Sequence, residues 1–128
     1  MLGIAARLAQ QRGVDDVCHF VRGDFLALPL IATFDYAIAI GVFDYAADAD
    51  ALLGKMAVSA RRRLVASFPS TFPVRTQVRR WRYARRNCPL YFYDEERIAA
   101  LFERCGLRDY RIAKIRGPGY DYVAVADL

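Results

Sequence analysis

A chain of 128 residues with 55% apolar side chains is one domain's worth of protein, able to bury a single core. The net charge of +5 sums 19 basic and 14 acidic side chains, and 17 of the 19 are arginine, a bias that genomic composition alone can produce. No uncharged central run, Tyr36 to Phe43 among them, is long enough to cross a bilayer, and Met1 to Arg7 lacks the charged front and long apolar centre of a signal peptide. These features exclude a membrane-spanning protein and a secreted disulfide scaffold.

In chain order, Leu2, Ala5, Ala6, Leu8 and Ala9 recur at near-helical spacing, and Gly13 closes that helix. The pattern predicts that residue 1 already lies inside the helix, with nothing before it to cap the first turn. Val17 to Arg22 reads as a short strand, followed by Gly23-Asp24 and a loop or short helix over Phe25 to Ile31. Phe34 to Ile40 is nearly continuous and apolar, which predicts a strand buried on both faces by helices. Gly41 to Ala47 is a loop. Asp48 predicts an N-cap for a helix through about Ser59, with Leu52, Leu53 and Met56 inward.

Arg63 to Phe68 reads as a second buried strand, stopped by Pro69. Asp94 predicts the cap of a helix to about Cys105, with Ile98, Leu101 and Phe102 on one face and Gly106 ending it. Leu107 to Ile115 and Tyr120 to Ala126, joined across Gly117-Pro118-Gly119, predict an antiparallel hairpin. Early alternation and a late hairpin describe an α/β sheet, mainly parallel, with an antiparallel edge.

Cys18, Cys88 and Cys105 are odd in number and irregularly spaced, and His19 is the single histidine. A metal site is therefore not expected, and three reduced thiols point to a cytoplasmic location. Cys18 and His19 are neighbours on the expected strand, so they face opposite sides and make no catalytic pair.

In an open α/β sheet, ligands bind beyond the carboxyl ends of the strands. Three loops are expected there: Gly23-Asp24-Phe25, Ile40 to Tyr45, and Phe68 to Thr71. The first offers a carboxylate beside an aromatic ring, suited to an amino group on a flat base. The second offers a glycine that lets a ligand approach the backbone, with two aromatic rings behind it. The plain alternative is that Asp24 merely caps a short helix and Gly41 is a turn.

The ordered series of these segments resembles the class I S-adenosylmethionine-dependent methyltransferases. Met1 to Arg7 is similar to the helix after that family's second strand, and Val17 to Phe25 to its third strand and adenine loop. Phe34 to Phe43 resembles the fourth strand and the loop beside the methionine part of the cofactor, and Arg62 to Phe68 the fifth. The helix at 94–105 and the terminal hairpin complete the series. The resemblance implies a Rossmann-like sheet, S-adenosylmethionine as cofactor and a small-molecule methyl acceptor. It implies cofactor contacts at Asp24, Phe25, Ile40, Gly41 and Val42, with Asp24 accepting from the adenine amino group. Phe43, Tyr45, Arg79, Arg82, Tyr91 and Tyr93 would border an aromatic or anionic acceptor, and Asp44 or Tyr45 would take a proton where the acceptor must lose one. A narrower similarity points to the magnesium-protoporphyrin O-methyltransferases, which share the aromatic after the fourth strand and a basic segment after the fifth.

Two family features are absent from this sequence: the glycine-rich loop after the first strand and the acidic residue that holds the cofactor ribose. The expectation is a partial domain, residues 1–128, corresponding to the carboxyl-terminal two thirds of the fold and lacking its first two strands. Such a chain is expected to bind the cofactor poorly and to be inactive alone.

Residues 73–90 form a basic cover or lid within that domain. Arg75, Arg79, Arg82 and Arg86 make one helical stripe, and Val74, Val78 and Trp81 a second. Three readings stay open: a solvated face covering the sheet, a lid for an anionic substrate, and, least favoured, a nucleic-acid or membrane contact. The competing class of function is a non-catalytic α/β module that holds an anionic partner through this Arg/Trp helix.

Overall fold

The computed structural model describes residues 2–30, 33–70, 89–115 and 121–128. Its elements are α1 (Leu2–Arg12), β1 (Phe34–Ala39), α2 (Ala49–Ser59), β2 (Ala60–Phe68), α3 (Glu95–Arg104), β3 (Tyr110–Lys114) and β4 (Tyr122–Asp127). The four strands form one sheet in the order β1-β2-β4-β3. β1 runs parallel to β2, with Ala37 beside Leu64 and Ile38 beside Val65. β4 runs antiparallel to both β2 and β3. Among the described strands one pairing is thus parallel and two are antiparallel, so the late hairpin weighs more in the sheet than the sequence pattern suggests.

The helices begin where their caps dictate. The Asp48 carboxylate accepts from the Ala51 amide at 2.8 Å, and that of Asp94 from the Arg97 amide at 2.8 Å. Each satisfies an amide that the first helical turn leaves without a partner, worth about 1 kcal/mol. α2 buries Leu52, Leu53 and Met56, and α3 buries Ile98, Leu101 and Phe102, on the predicted faces. Both lie on the sheet face formed by Leu64, Ala66 and Phe68 of β2 and Tyr122, Ala124 and Ala126 of β4. Phe68 is the hub: its ring centroid lies 4.5 Å from Phe43, 5.0 Å from Tyr93 and 6.2 Å from Phe102. Full burial of side chains of this size contributes roughly 1.5–3 kcal/mol each.

Three expectations change at the amino-terminal side. Residues 17–22 form no strand, because no neighbouring chain offers them a ladder; Val17 and Val21 are exposed. β1 is not buried on both faces. Phe34, Tyr36 and Ile38 are 60%, 56% and 68% exposed, and among the described strands β1 stands at the sheet edge, paired with β2 alone. α1 forms as the spacing predicts, yet it contributes nothing to the main core, and only its Ala9 is buried. The basic helix expected over 73–87, with Arg75, Arg79, Arg82 and Arg86, lies outside the described residues, as do Cys88 and the Gly117–Gly119 turn.

Candidate functional site

The carboxyl ends of β1 and β2 lie side by side because the two strands are parallel. Gly41 follows β1 with a φ of 67°, a conformation that disfavours any side chain, and a Cβ there would meet nothing within 4 Å. The backbone is therefore open to a ligand on that side. The Gly41 amide donates to the Ser67 hydroxyl at 2.9 Å, which ties the loop to β2. Ile40, Val42 and Tyr45 are 62%, 42% and 45% exposed on the rim.

Phe43 and Asp44 turn the other way. Phe43 is fully buried against Phe68, so it floors the site as a core residue and presents no ring to an acceptor. Asp44 is 9% exposed, and its carbonyl accepts from the Tyr91 amide at 2.9 Å. A second tie, from the Tyr93 amide to the Pro69 carbonyl at 2.9 Å, lays residues 91–93 across the ends of both strands. The Ser70–Tyr93 bridge extends this pairing.

Tyr93 is 2% exposed, packs edge-on to Phe68 and lies under the Arg97 guanidinium at 4.9 Å. Burial pushes its phenol above the ordinary tyrosine value, with Arg97 opposing. Tyr93 thus serves as a packing residue of the core. Tyr91 is half-buried and, with Ala46, Asp48, Arg97 and Arg104, lines a polar depression of about 260 Å³ between α2 and α3. Arg79 and Arg82 lie outside the described residues.

The turn after Gly23 forms the opposite wall. The Asp24 carboxylate accepts from the Leu26 amide at 3.0 Å, and its carbonyl from Ala27 and Leu28 at 3.1 and 3.0 Å. Asp24 thus caps a turn, where the plain reading expected a short helix, and the same bonds shape the chain around the neighbouring Phe25. Phe25 and Val42 line one apolar trough of about 320 Å³, with Leu30, Ile38 and Met56. The structure therefore brings residues 25 and 42 to a common cavity across 17 positions of sequence. Asp24 flanks Phe25 in the chain, and Ile40 and Gly41 lead into Val42.

Two residues of this site escaped the sequence reading. Ser67 was legible only as the one polar side chain in the run Leu64 to Phe68. Lys55, one of two lysines, sits on α2 between Leu52 and Met56, and its ammonium reaches back to the 24–28 turn. No group of three or more metal-ligating side chains occurs among the described residues. No described helix is long and apolar enough to cross a membrane.

No family profile and no curated protein matches the chain. Solved structures do. A provisional O-methyltransferase of Nostoc punctiforme superposes with a TM-score of 0.80 at 15% identity, over 99% of this chain and 42% of that one. The O-methyltransferase family 2 protein of Planctomyces limnophilus, in complex with apigenin, gives 0.77 at 18% identity, over 99% and 40%. The magnesium protoporphyrin IX methyltransferase of Synechocystis, with bound SAH, gives 0.62 at 20% identity, over 93% and 57%. The chain thus spans about two fifths to three fifths of the length of these structures. With its sheet, its capped helices and these superpositions, the chain has the fold of the class I S-adenosylmethionine-dependent methyltransferases.

Proposed function

We propose that this chain supplies the carboxyl-terminal part of an S-adenosylmethionine-dependent methyltransferase acting on a small aromatic or anionic acceptor. The observation that carries the reading is the trough shared by Phe25 and Val42, beside the open backbone of Gly41, in this fold. Phe25 and the Asp24 turn would hold the adenine end of the cofactor, and Ile40, Gly41 and Val42 its methionine end. Neighbours of the same fold include proteins solved with SAH and with a flavone, which supports both the cofactor and an aromatic acceptor.

The bound cofactor would bring a methyl group already activated on sulfonium, so the protein need only align the partners and exclude water. The aromatic floor of Phe43, Phe68 and Tyr93 gives a rigid, dry base for that alignment. Tyr45, exposed on the rim, would border the acceptor. Where the acceptor must lose a proton, Tyr45 on the rim or, through a shift of the loop that exposes its buried carboxylate, Asp44 would receive it.

Binding by the chain alone is weak in this reading, because the sequence holds neither the glycine-rich loop nor the ribose-binding acid that the resemblance leads one to expect. The open edge of β1 supports a larger sheet in the active enzyme. The test is an NMR titration of the chain with S-adenosylhomocysteine. Shifts confined to residues 24–25 and 40–42, saturating only at high concentration, are expected. Shifts clustered elsewhere overturn the site, and micromolar affinity by calorimetry overturns the claim of weak binding.

A further inference from the structure

Helix α2 touches the wall of the site at one residue that no part of the methyl-transfer reading uses. The Lys55 ammonium donates to the Leu26 carbonyl at 2.9 Å and also to the Leu28 carbonyl. It lies 5.2 Å from the centroid of the Phe25 ring, within reach of a cation–π attraction. Three contacts thus run from one side chain to three residues of a single turn.

The two ends of this link differ in rigidity. α2 is fixed by the Asp48 cap and by burial of Leu52, Leu53 and Met56. The turn has no helix or strand of its own. It holds its shape through the Asp24 bonds to residues 26–28 and through the close approach of Leu28 to Gly23. A Cβ on Gly23 would meet the Leu28 Cδ2 at 3.1 Å, so a side chain there would make the leucine give way slightly. Internal bonds shape the turn but do not locate it. Two charge-assisted hydrogen bonds to consecutive parts of its backbone do.

We propose that Lys55 is a positioning residue: it docks the 24–28 turn onto α2 and so sets where Phe25 stands in the trough and where Asp24 stands beside it. This rests on the reading of that trough as the cofactor's adenine side. Lys55 touches no reacting atom. Its effect passes through Phe25, whose ring it attracts, and through the peptide units that carry Asp24.

The test compares wild type with Lys55→Met, which keeps the length and loses the charge, and Lys55→Arg, which keeps the donors. Amide exchange of Leu26, Ala27 and Leu28 is expected to rise about tenfold or more in Lys55→Met, the loss of a charge-assisted pair. Exchange of Leu53 and Met56 in α2 is expected to stay put, and Lys55→Arg to restore most of the protection. The S-adenosylhomocysteine titration is expected to weaken by a similar factor in Lys55→Met alone. Unchanged exchange in Lys55→Met overturns the docking role. Faster exchange with unchanged affinity overturns the positioning role. A wild type that never responds to S-adenosylhomocysteine overturns the cofactor reading and the positioning role built on it, while the exchange comparison still decides the docking.

Discussion

The Gly41 amide and the Ser67 hydroxyl, 26 residues apart, are joined at 2.9 Å across the ends of two parallel strands. This bond holds the loop that bends away from β1 at the height of β2. Ser67→Ala removes the acceptor while the amide keeps access to water. The expected cost is therefore at the low end for a hydrogen bond, about 0.5–1 kcal/mol, read as a lower urea midpoint with an unchanged slope.

Phe43 and Tyr45 are two rings in one loop with opposite fates. Phe43 is fully buried on Phe68, and Tyr45 is 45% exposed. Phe43→Ala is expected to cost about 3–5 kcal/mol through the cavity it leaves. Tyr45→Ala is expected to cost clearly less, because nearly half of that residue is already in water. Thermal unfolding of both variants separates the ring that holds the site together from the ring that stands on its rim. Equal losses would show that the loop packs differently.

Acid lowers stability through the carboxylates at the ends of two ion pairs. Hydrogen bonding and charge from Arg63, with help from Arg111, hold Asp127 below the ordinary carboxylate range. Arg104 does the same for Asp50, with Nε to Oδ1 at 2.7 Å, linking α3 to α2. Both folded values are depressed, so these groups contribute fully above the unfolded value, near about 3.9. The contribution is lost as pH falls through the lower, folded values. Arg63, Arg104 and Asp50 are about half exposed and Asp127 about a third, so solvent and salt screen the effect. Urea midpoints measured from pH 6 downward are expected to fall below about pH 4. Asp127→Asn is expected to flatten part of that fall. The same flattening is expected for the wild type in high salt.

The open edge of β1 carries Phe34, Tyr36 and Ile38, all more than half exposed. Among the described strands β1 is terminal, and an edge strand beside exposed apolar side chains invites a further strand. Sedimentation at rising protein concentration is expected to show association of the chain, and Ile38→Lys is expected to suppress it. That substitution places a charge where the side chain is already in water, so the urea midpoint should hardly move. A monomer at every concentration would show that the edge is shielded.

Local signals carried far in this protein. Asp48 and Asp94 announce their helices because a short carboxylate satisfies amides only a few residues away. The apolar spacing of Ile98, Leu101 and Phe102 names the buried face of α3, since a helix repeats within the chain itself. The terminal hairpin follows from neighbours in sequence that pair in space. The ordered series of segments sufficed to indicate the fold class. Which strand has a neighbour lies beyond such signals. Val17 to Arg22 has a strand's composition and is no strand, and β1 has a buried strand's composition and stands at an edge. A strand is defined by its partner, and the partner is a property of the whole sheet. Tertiary structure also sorted the aromatic side chains: it sent Phe43 and Tyr93 into the core and left Phe25 and Tyr45 at the surface of the site. It brought Ser67 to Gly41 and Lys55 to the Asp24 turn as well, because long-range contacts between polar groups leave no periodicity in the chain.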